Sequence, residues 1–369
     1  MSQAQPVDVR FLSQEAAVDA GLVDMDGCVE TTEHAFELYN AGQVVMGDPG
    51  QNIHGHVTSF SGDSEIAEGL EPGPDRRFSA MPAYVGGDVN MMGIKWYGSN
   101  ITNPAKRGLP RSIHTITLND PNSGQPLCVM DGQTASAMRT GAVAGVGAAR
   151  VQSDRATTAA VIGPGVVGQT SALALDSALG ALETIRVSHP ELEKAEAFEA
   201  EMCGRVDAEV VATDSAETAV TGADVTVVAA SGSPPPSIDG SWLGEDSLVI
   251  PLGDLRVSLD AFDADRVFCD IRQNCLEFAN AVDWGVYNAL GAAVEYGVGL
   301  DVDHSDLRAL HEVVGGEDTD PTQGRSVLYS PGLPMEDVAW ATEVYRNAEA
   351  ADLGETVRLF EEPYFSKPY

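Results

Sequence analysis

Ala159-Ala-Val-Ile-Gly-Pro-Gly-Val-Val-Gly-Gln-Thr170 lies near the middle of the 369-residue chain, and its reading decides the fold. The apolar run 159–162 reads as a buried strand. Gly163, Gly165 and Gly168 follow it, and an Ala/Leu-rich helix is expected over 166–179. This is G-x-G-x-x-G set between a strand and a helix, the context that makes the motif informative. The three glycines answer different physical needs. Gly163 allows the tight turn, Gly165 lets the backbone approach a pyrophosphate, and Gly168 lets the helix close on the strand. Val166 and Val167 open the helix, where free N–H groups and the positive dipole end meet phosphate. An ordinary glycine-rich turn has the same letters; the flanking strand and helix favour a dinucleotide site.

Outward from this stretch, strand and helix signals alternate. Strands are expected at 185–187, 209–212, 225–229, 248–251 and 267–270, with helices between most of them, for example 191–202. Such alternation makes a Rossmann-type doubly wound parallel sheet. Upstream, Ser13 can cap a short helix and a longer amphipathic helix is expected over 25–41. From 44 to 130 the chain becomes short apolar or alternating runs at 54–60, 77–81, 91–97, 112–118 and 126–130. Asn119-Asp-Pro-Asn-Ser-Gly124 between the last two is a hairpin signal. These runs predict an antiparallel sheet, followed by a helix over 135–151. The tail, a strand at 326–329 and a helix from 335 to 353, is expected to return to this first domain. The chain therefore reads as an α/β protein. A dinucleotide-binding domain covers 139–317, and a discontinuous α+β domain for substrate and dimerisation covers 1–138 with 318–369. The run Ser231-Gly-Ser-Pro-Pro-Pro-Ser237 follows a strand end and is either part of the cofactor cleft or a stiff surface loop.

Composition sets outer limits. Acidic residues number 56 against 21 basic ones, a formal net charge of −35, and only four lysines occur, at Lys95, Lys106, Lys194 and Lys367. With 43% hydrophobic residues and abundant periodic segments, this is a folded protein rather than an acidic disordered one. An acidic, lysine-poor surface over an ordinary core is expected of a halophilic protein, and it repels nucleic acid and anionic membranes. The thermal midpoint is accordingly expected to rise steeply between about 0.1 and 2 M salt, as the screening length shrinks severalfold; a flat midpoint over that span would remove the halophilic reading. No apolar run is long enough to span a membrane and the first ten residues are polar, so a cytoplasmic location is expected. The five cysteines are scattered without C-x-x-C and read as buried small hydrophobes. His54-Gly-His56 is the one close histidine pair; it lacks partners at ligand spacing, and no metal site is expected.

Candidate chemistry rests on a few charged residues. Lys95 sits inside the apolar strand pattern Gly93-Ile-Lys-Trp-Tyr97, either snorkelling to solvent or buried with an anionic partner. Arg77 and Arg139 lie on other elements; with Lys95 they either clamp a carboxylate or serve as ordinary salt-bridging cations. Asp254, in Val249-Ile-Pro-Leu-Gly-Asp254, follows a strand of the parallel sheet. There it is a general base near a nicotinamide, or merely caps the next turn.

The segments Met81-Pro82, Gly93-Ile-Lys-Trp-Tyr-Gly98, Asn103-Pro104, Leu118-Asn-Asp120, Val129-Met-Asp131 and Ser136-Ala-Met-Arg-Thr-Gly141 occur in that order. After the glycine loop come Gly253-Asp254, Gly324-Arg325 and Pro331-Gly-Leu-Pro-Met-Glu-Asp-Val338. Together they resemble the ornithine cyclodeaminase/mu-crystallin family over nearly the whole chain. Gly-Ile-Lys-Trp and Leu-Asn-Asp-Pro are particularly similar to its opine-type, siderophore-precursor dehydrogenases. The resemblance implies a homodimeric nicotinamide enzyme acting on a small amino or imino acid. Arg77, Lys95 and Arg139 would hold the substrate carboxylate, Lys95 and Asp254 would serve catalysis, and Thr140, Ser188 and His189 would bind cofactor. The first reading is ornithine cyclodeaminase-type conversion to proline and ammonia through an imine. The alternatives are an NAD(P)-dependent imine reductase or opine-type dehydrogenase, and a non-catalytic mu-crystallin-like binding protein. Two departures bear on this. Ser79 stands where the cyclodeaminase pattern has a glutamate near the distal amine. The second strand ends Val187-Ser-His-Pro190 without the carboxylate that binds the NAD ribose, and Glu183 precedes that strand at its wrong end. Arg186 or Lys194 nearby then favours NADP over NAD.

Overall fold

A computed structural model describes residues 5–47, 53, 55–59, 76–152, 155–230, 234–256, 264–281, 290, 307–316 and 324–364. They form two compact units, one of Met1–Asp24, Gly42–Ser136 and Leu333–Tyr369, the other of Met25–Ala41 and Ala137–Gly332.

The first unit is built on an eight-stranded sheet. Its strands are β1 (Val7–Leu12), β2 (Val44–Val45), β3 (His56–Ser59), β4 (Arg77–Val85), β5 (Met91–Ser99), β6 (Ser112–Asn119), β7 (Pro126–Asp131) and β16 (Glu355–Phe360). The order is β16-β1-β7-β6-β5-β4-β2, with β3 also on β4. The expected meander is present, with β4, β5, β6 and β7 pairing antiparallel in turn. The hairpin between β6 and β7 turns on Asp120, whose Oδ1 accepts from the N–H of Asn122 and Ser123, with Gly124 at φ 74°. The sheet is mixed, however, because β1 runs parallel to β7 and antiparallel to β16. The outer strand β16 is exposed at every residue, and β1 lies between it and β7. Ser13 caps the short helix Gln14–Asp19 as expected.

Burial alternates along β4 and β5, and Ser79, Met81, Ala83, Val85, Met91, Gly93, Lys95, Tyr97 and Ser99 share the inner face. The helix Pro334–Ala350 covers that face. Its first nine residues are all buried, so it behaves as a core helix rather than an amphipathic surface one. Gly93 permits the approach, since a Cβ there would stand 2.9 Å from Val338 Cγ2.

The second unit holds β8 (Thr158–Ile162), β9 (Thr184–Ser188), β10 (Glu209–Thr213), β11 (Val225–Val228), β12 (Leu248–Pro251), β13 (Arg266–Cys269), β14 (Leu307–Ala309) and β15 (Ser326–Tyr329). The sheet order is β10-β9-β8-β11-β12-β15-β13-β14, and every pairing in it is parallel. From β8 the chain winds one way to β9 and β10, then the other way to β11 and β12. The crevice at such a reversal, at the carboxyl ends of the strands, is where doubly wound sheets bind ligands. β11, β12, β13 and β15 are buried at every residue, as strands covered on both faces must be.

Two segments depart from expectation. Ser326–Tyr329 does not return to the first unit; it pairs between β12 and β13. The helix Met25–Asn40 groups with the second unit, where it packs on the helix Val166–Ala178. Its partners there include Arg150, whose Nε lies 2.6 Å from Glu33, and His311, whose ring meets Tyr39 edge-on at 4.9 Å. Both segments are apolar enough to need cover, but neither pattern says which sheet provides it. Of the five free cysteines, Cys28, Cys128, Cys269 and Cys275 are buried as expected, whereas Cys203 is exposed. His54 lies outside the described residues. Among the described residues, no helix is long and apolar enough to cross a membrane, and no group of three potential metal ligands occurs.

Candidate dinucleotide groove and substrate face

The three glycines of the loop after β8 are held by three different constraints. Gly163 has φ 108°, and a Cβ on it would sit 2.9 Å from Ala230 Cα; its N–H donates to Ser188 O at 3.1 Å. Gly168 lies under the loop, where a Cβ would come within 2.1 Å of Gly163 O. Gly165 is extended (φ −75°, ψ −176°) at the start of the helix Val166–Ala178, and a Cβ there would meet nothing within 4 Å. No side chain caps this helix, so its first N–H groups are available to an anion. Val166 and Val167 form its first turn.

A cavity of about 800 Å³ opens in front of the loop. Ser188, His189 and Lys194 line it, and so do Pro234 and Pro236, which places the described part of the proline run in the groove wall. His189 Nδ1 accepts from Glu191 N–H at 2.9 Å, which leaves the ring proton on Nε2, and Lys194 Nζ lies 2.6 Å from Glu191 Oε1. Arg186 is directed elsewhere, donating to Thr221 O at 2.8 Å. Glu183 precedes β9, and its N–H bonds to Thr157 O, so it stays at the wrong end for a ribose. Asp214, at the end of β10, lines the groove and was not singled out by the sequence. A dinucleotide fits this arrangement, because an open glycine, an uncapped helix start and a cavity of about 800 Å³ meet what a pyrophosphate and its nucleoside require.

Farther along the carboxyl edge, Leu252 and Gly253 both donate to Val228 O at 2.9 Å, and a Cβ on Gly253 would stand 2.3 Å from Ala230 O. Gly163, Ala230 and Gly253 are thus pressed together, and Asp254 follows directly after this packed turn. Its Oδ1 accepts from Leu255 N–H at 2.9 Å, so it also performs the turn-capping role. Arg139 and Thr140 line a separate cavity of about 170 Å³ with Leu252, Phe278, Ser330 and Pro331. Thr140 lines this cavity beside Arg139. Arg139 is buried, and a Cβ on Gly332 (φ 90°) would sit 2.2 Å from its Nη1.

The loop that carries Gly332 is organised by Asp270, a wholly buried carboxylate just past β13. It accepts from Asn274 Nδ2 (3.1 Å), Cys275 Sγ (3.2 Å), Gly332 N (3.3 Å) and Ser330 Oγ (3.4 Å). Burial pushes its pKa from 3.8 up to about 6, against these hydrogen bonds. A pKa raised on folding contributes stability that is complete below about pH 4 and is lost as pH rises through about 6. The unfolding free energy of the wild type relative to Asp270→Asn is therefore expected to fall by about 3 kcal/mol over that window. Denaturant titrations in molar salt at closely spaced pH values check this, and parallel curves for the two proteins would contradict it.

In the first unit, Lys95 faces Met81 on β4 and Ile116 on β6, and Tyr97 faces Ser79 and His114. Of the two fates open to Lys95, burial with an anionic partner is the one observed. The residue is 1% exposed, and its Nζ lies 2.7 Å from Oδ2 of the equally buried Asp337 and donates to Ser136 Oγ at 3.1 Å. The Tyr97 ring centroid is 5.7 Å from Lys95 Nζ and 6.0 Å from Arg77 Cζ, and the His114 ring stacks on Tyr97 at 4.7 Å. Ser79 is completely buried, and its Oγ has no hydrogen-bond partner among the described residues. Asp337 is the residue that sequence reasoning missed. Nothing in the sequence marked it, because Glu336 stands beside it and Glu343, Arg346, Asn347 and Glu349 follow on the same helix.

Comparison with known proteins agrees with this architecture. Residues 23–352 match the profile of the ornithine cyclodeaminase/mu-crystallin family. N-((2S)-2-amino-2-carboxyethyl)-L-glutamate dehydrogenase of Staphylococcus aureus is 27% identical over 289 residues, 77% of this chain and 82% of that protein. Delta(1)-pyrroline-2-carboxylate reductase of Thermococcus litoralis, solved with NADH and L-proline, superposes with a TM-score of 0.78 at 23% identity, over 95% of this chain and 100% of that one. An archaeal alanine dehydrogenase dimer with bound NAD gives 0.78 at 23% identity, over 96% and 100%.

Proposed function

The chain belongs to the ornithine cyclodeaminase/mu-crystallin family, and on that premise we propose that it is an NAD(P)-dependent oxidoreductase interconverting an L-amino acid and its imine, with net consumption or production of reduced cofactor. The observation that carries this reading is Ser79, buried on the Lys95 face without a carboxylate in its place. A second, distal ammonium on the substrate needs a carboxylate to offset its desolvation. On this face the described carboxylate beside Lys95 is Asp337, which that lysine already engages.

Arg77, Lys95 and Arg139 hold the substrate carboxylate through charge-assisted hydrogen bonds. Asp254 takes the proton from the substrate ammonium, which frees the nitrogen lone pair for the C=N bond. The glycine loop and the helix start hold the pyrophosphate, and a bound nicotinamide supplies the hydride acceptor or donor. In the groove, His189 Nε2–H and Lys194, without a carboxylate at the end of β9, favour the 2′-phosphate of NADP. Tighter binding of NADH than NADPH in a fluorescence titration would reverse that preference. For assembly, the outer face of the mixed sheet exposes Phe78, Trp96 and Ile113, with Phe78 and Trp96 stacked at 5.8 Å, and this supports a homodimer. Trp96→Asp is expected to sediment as a monomer in molar salt; an unchanged sedimentation coefficient would move the interface elsewhere.

The deciding assay supplies a panel of L-amino acids, and of 2-keto acids with amines, with either cofactor in molar salt. Reduced cofactor should appear or vanish in proportion to product. Proline formed from ornithine over many turnovers of substoichiometric oxidised cofactor would instead establish cyclodeamination, the first reading from the sequence. Ligand binding without any turnover would leave a binding protein.

A further inference from the structure

Asp337 is buried, charged, far along the chain from the residues discussed as a clamp, and unused by the chemistry above. It belongs to the first turn of Pro334–Ala350, where an acid is ordinarily an exposed partner of the helix dipole. Here the end of the helix is served by its neighbour, since Glu336 Oε2 accepts from Leu333 N–H at 3.2 Å. The carboxylate of Asp337 faces the sheet instead, 2.7 Å from Lys95 Nζ.

We propose that Asp337 is the positioning residue for Lys95, aiming its ammonium and keeping it charged where the substrate carboxylate binds. This rests on the reading in which Lys95 contacts substrate. An ammonium stripped of water loses its proton readily unless an anion is fixed beside it. Among the described groups beside Lys95, Asp337 is in ion-pair contact with its Nζ. Arg77 from β4 is a cation; Tyr97 on the same strand and His114 on β6 present rings; Ser79 and Ser136 are neutral hydroxyls. Glu336, the other acid of this helix turn, turns its Oε2 to the cap, where it accepts from Leu333 N–H. Because Ser136, on the helix Gly132–Gln152, accepts from the same Nζ, the ammonium is also fixed in direction from two separate helices.

The scarcity of lysine gives a direct test. With four lysines in the chain, side-chain ¹³C-lysine spectra contain few signals, and the Lys95 signal is the one lost in Lys95→Arg. In the folded wild-type protein Lys95 should remain protonated at about pH 9. In Asp337→Asn it should become neutral about one pH unit lower or more, and the alkaline fall of kcat/KM should move down in pH with it. Cofactor affinity should not change, and Asp337→Asn should add little to the defect of Lys95→Met. Identical Lys95 titrations in wild type and Asp337→Asn would overturn the proposal. So would a wild-type Lys95 already neutral near pH 8, an outcome readable even if Asp337→Asn fails to fold. An absence of amino- or imino-acid turnover in the wild type would remove the functional reading while leaving the titration to judge the ion pair.

Discussion

Gly165→Val is expected to weaken nicotinamide cofactor binding by at least about 100-fold, roughly 2.7 kcal/mol, while leaving the protein folded. The backbone of Gly165 is ordinary extended structure, open to any L-residue, and a Cβ there meets nothing within 4 Å. The loss of a glycine at the helix start costs about 1 kcal/mol of stability. What the valine fills is the space that a pyrophosphate needs against the helix N-terminus. Gly168→Val makes the contrasting control, because its Cβ would lie 2.1 Å from Gly163 O and should damage the fold itself. Fluorescence titration with NADH and NADPH, alongside thermal melts in molar salt, separates the two effects. Wild-type-like binding by Gly165→Val would end the assignment of this loop to a dinucleotide.

Lys95→Ala and Arg139→Ala are each expected to lower kcat/KM by about 100-fold, on the order of 3 kcal/mol for a desolvated charge-assisted contact. Cofactor affinity should hold in both. The two differ in stability. Lys95→Ala strands the buried carboxylate of Asp337, a change of about 3–5 kcal/mol, so its melting point should fall clearly below that of the wild type. Lys95→Arg, which keeps the charge, should recover part of that loss. Near-normal kinetics in either alanine variant would return that residue to a purely structural role.

The parts of the molecule legible in the sequence are those where local chemistry has one solution. Strands buried on both faces are short and mainly apolar, and β8, β11, β12 and β13 are so, with Thr226 and Arg266 the polar residues buried in β11 and β13. The loop glycines each answer to a distinct constraint, so their spacing carried the reading. Lys95 stood out because a cation interrupts an apolar strand. Illegible were the choices that depend on distant partners. β1 and β16 pair across the length of the chain, and β16 is exposed at every residue, so neither pattern names its partner. β15 announced that it was buried, but nothing in Ser-Val-Leu-Tyr says between which strands. Asp337 and Asp270 were hidden among 56 acids, since only packing distinguishes a buried carboxylate from a solvated one, and the exposed Asp214 is set apart only by its place in the groove wall.

The position of β15 bears on how the protein is made. β13 holds to the rest of its sheet through β15, which also borders β12. A nascent chain that has emerged only as far as residue 317 can assemble β8 to β12, but β12 then presents a bare edge and β13 with β14 has no place to dock. Unpaired, apolar parallel edges are the surfaces on which growing chains associate wrongly. Closure waits for residues 326–329, and this long-range step should make folding slow for the size of the unit. The ribosome thus releases the dinucleotide-binding sheet complete only when most of the chain has been synthesised.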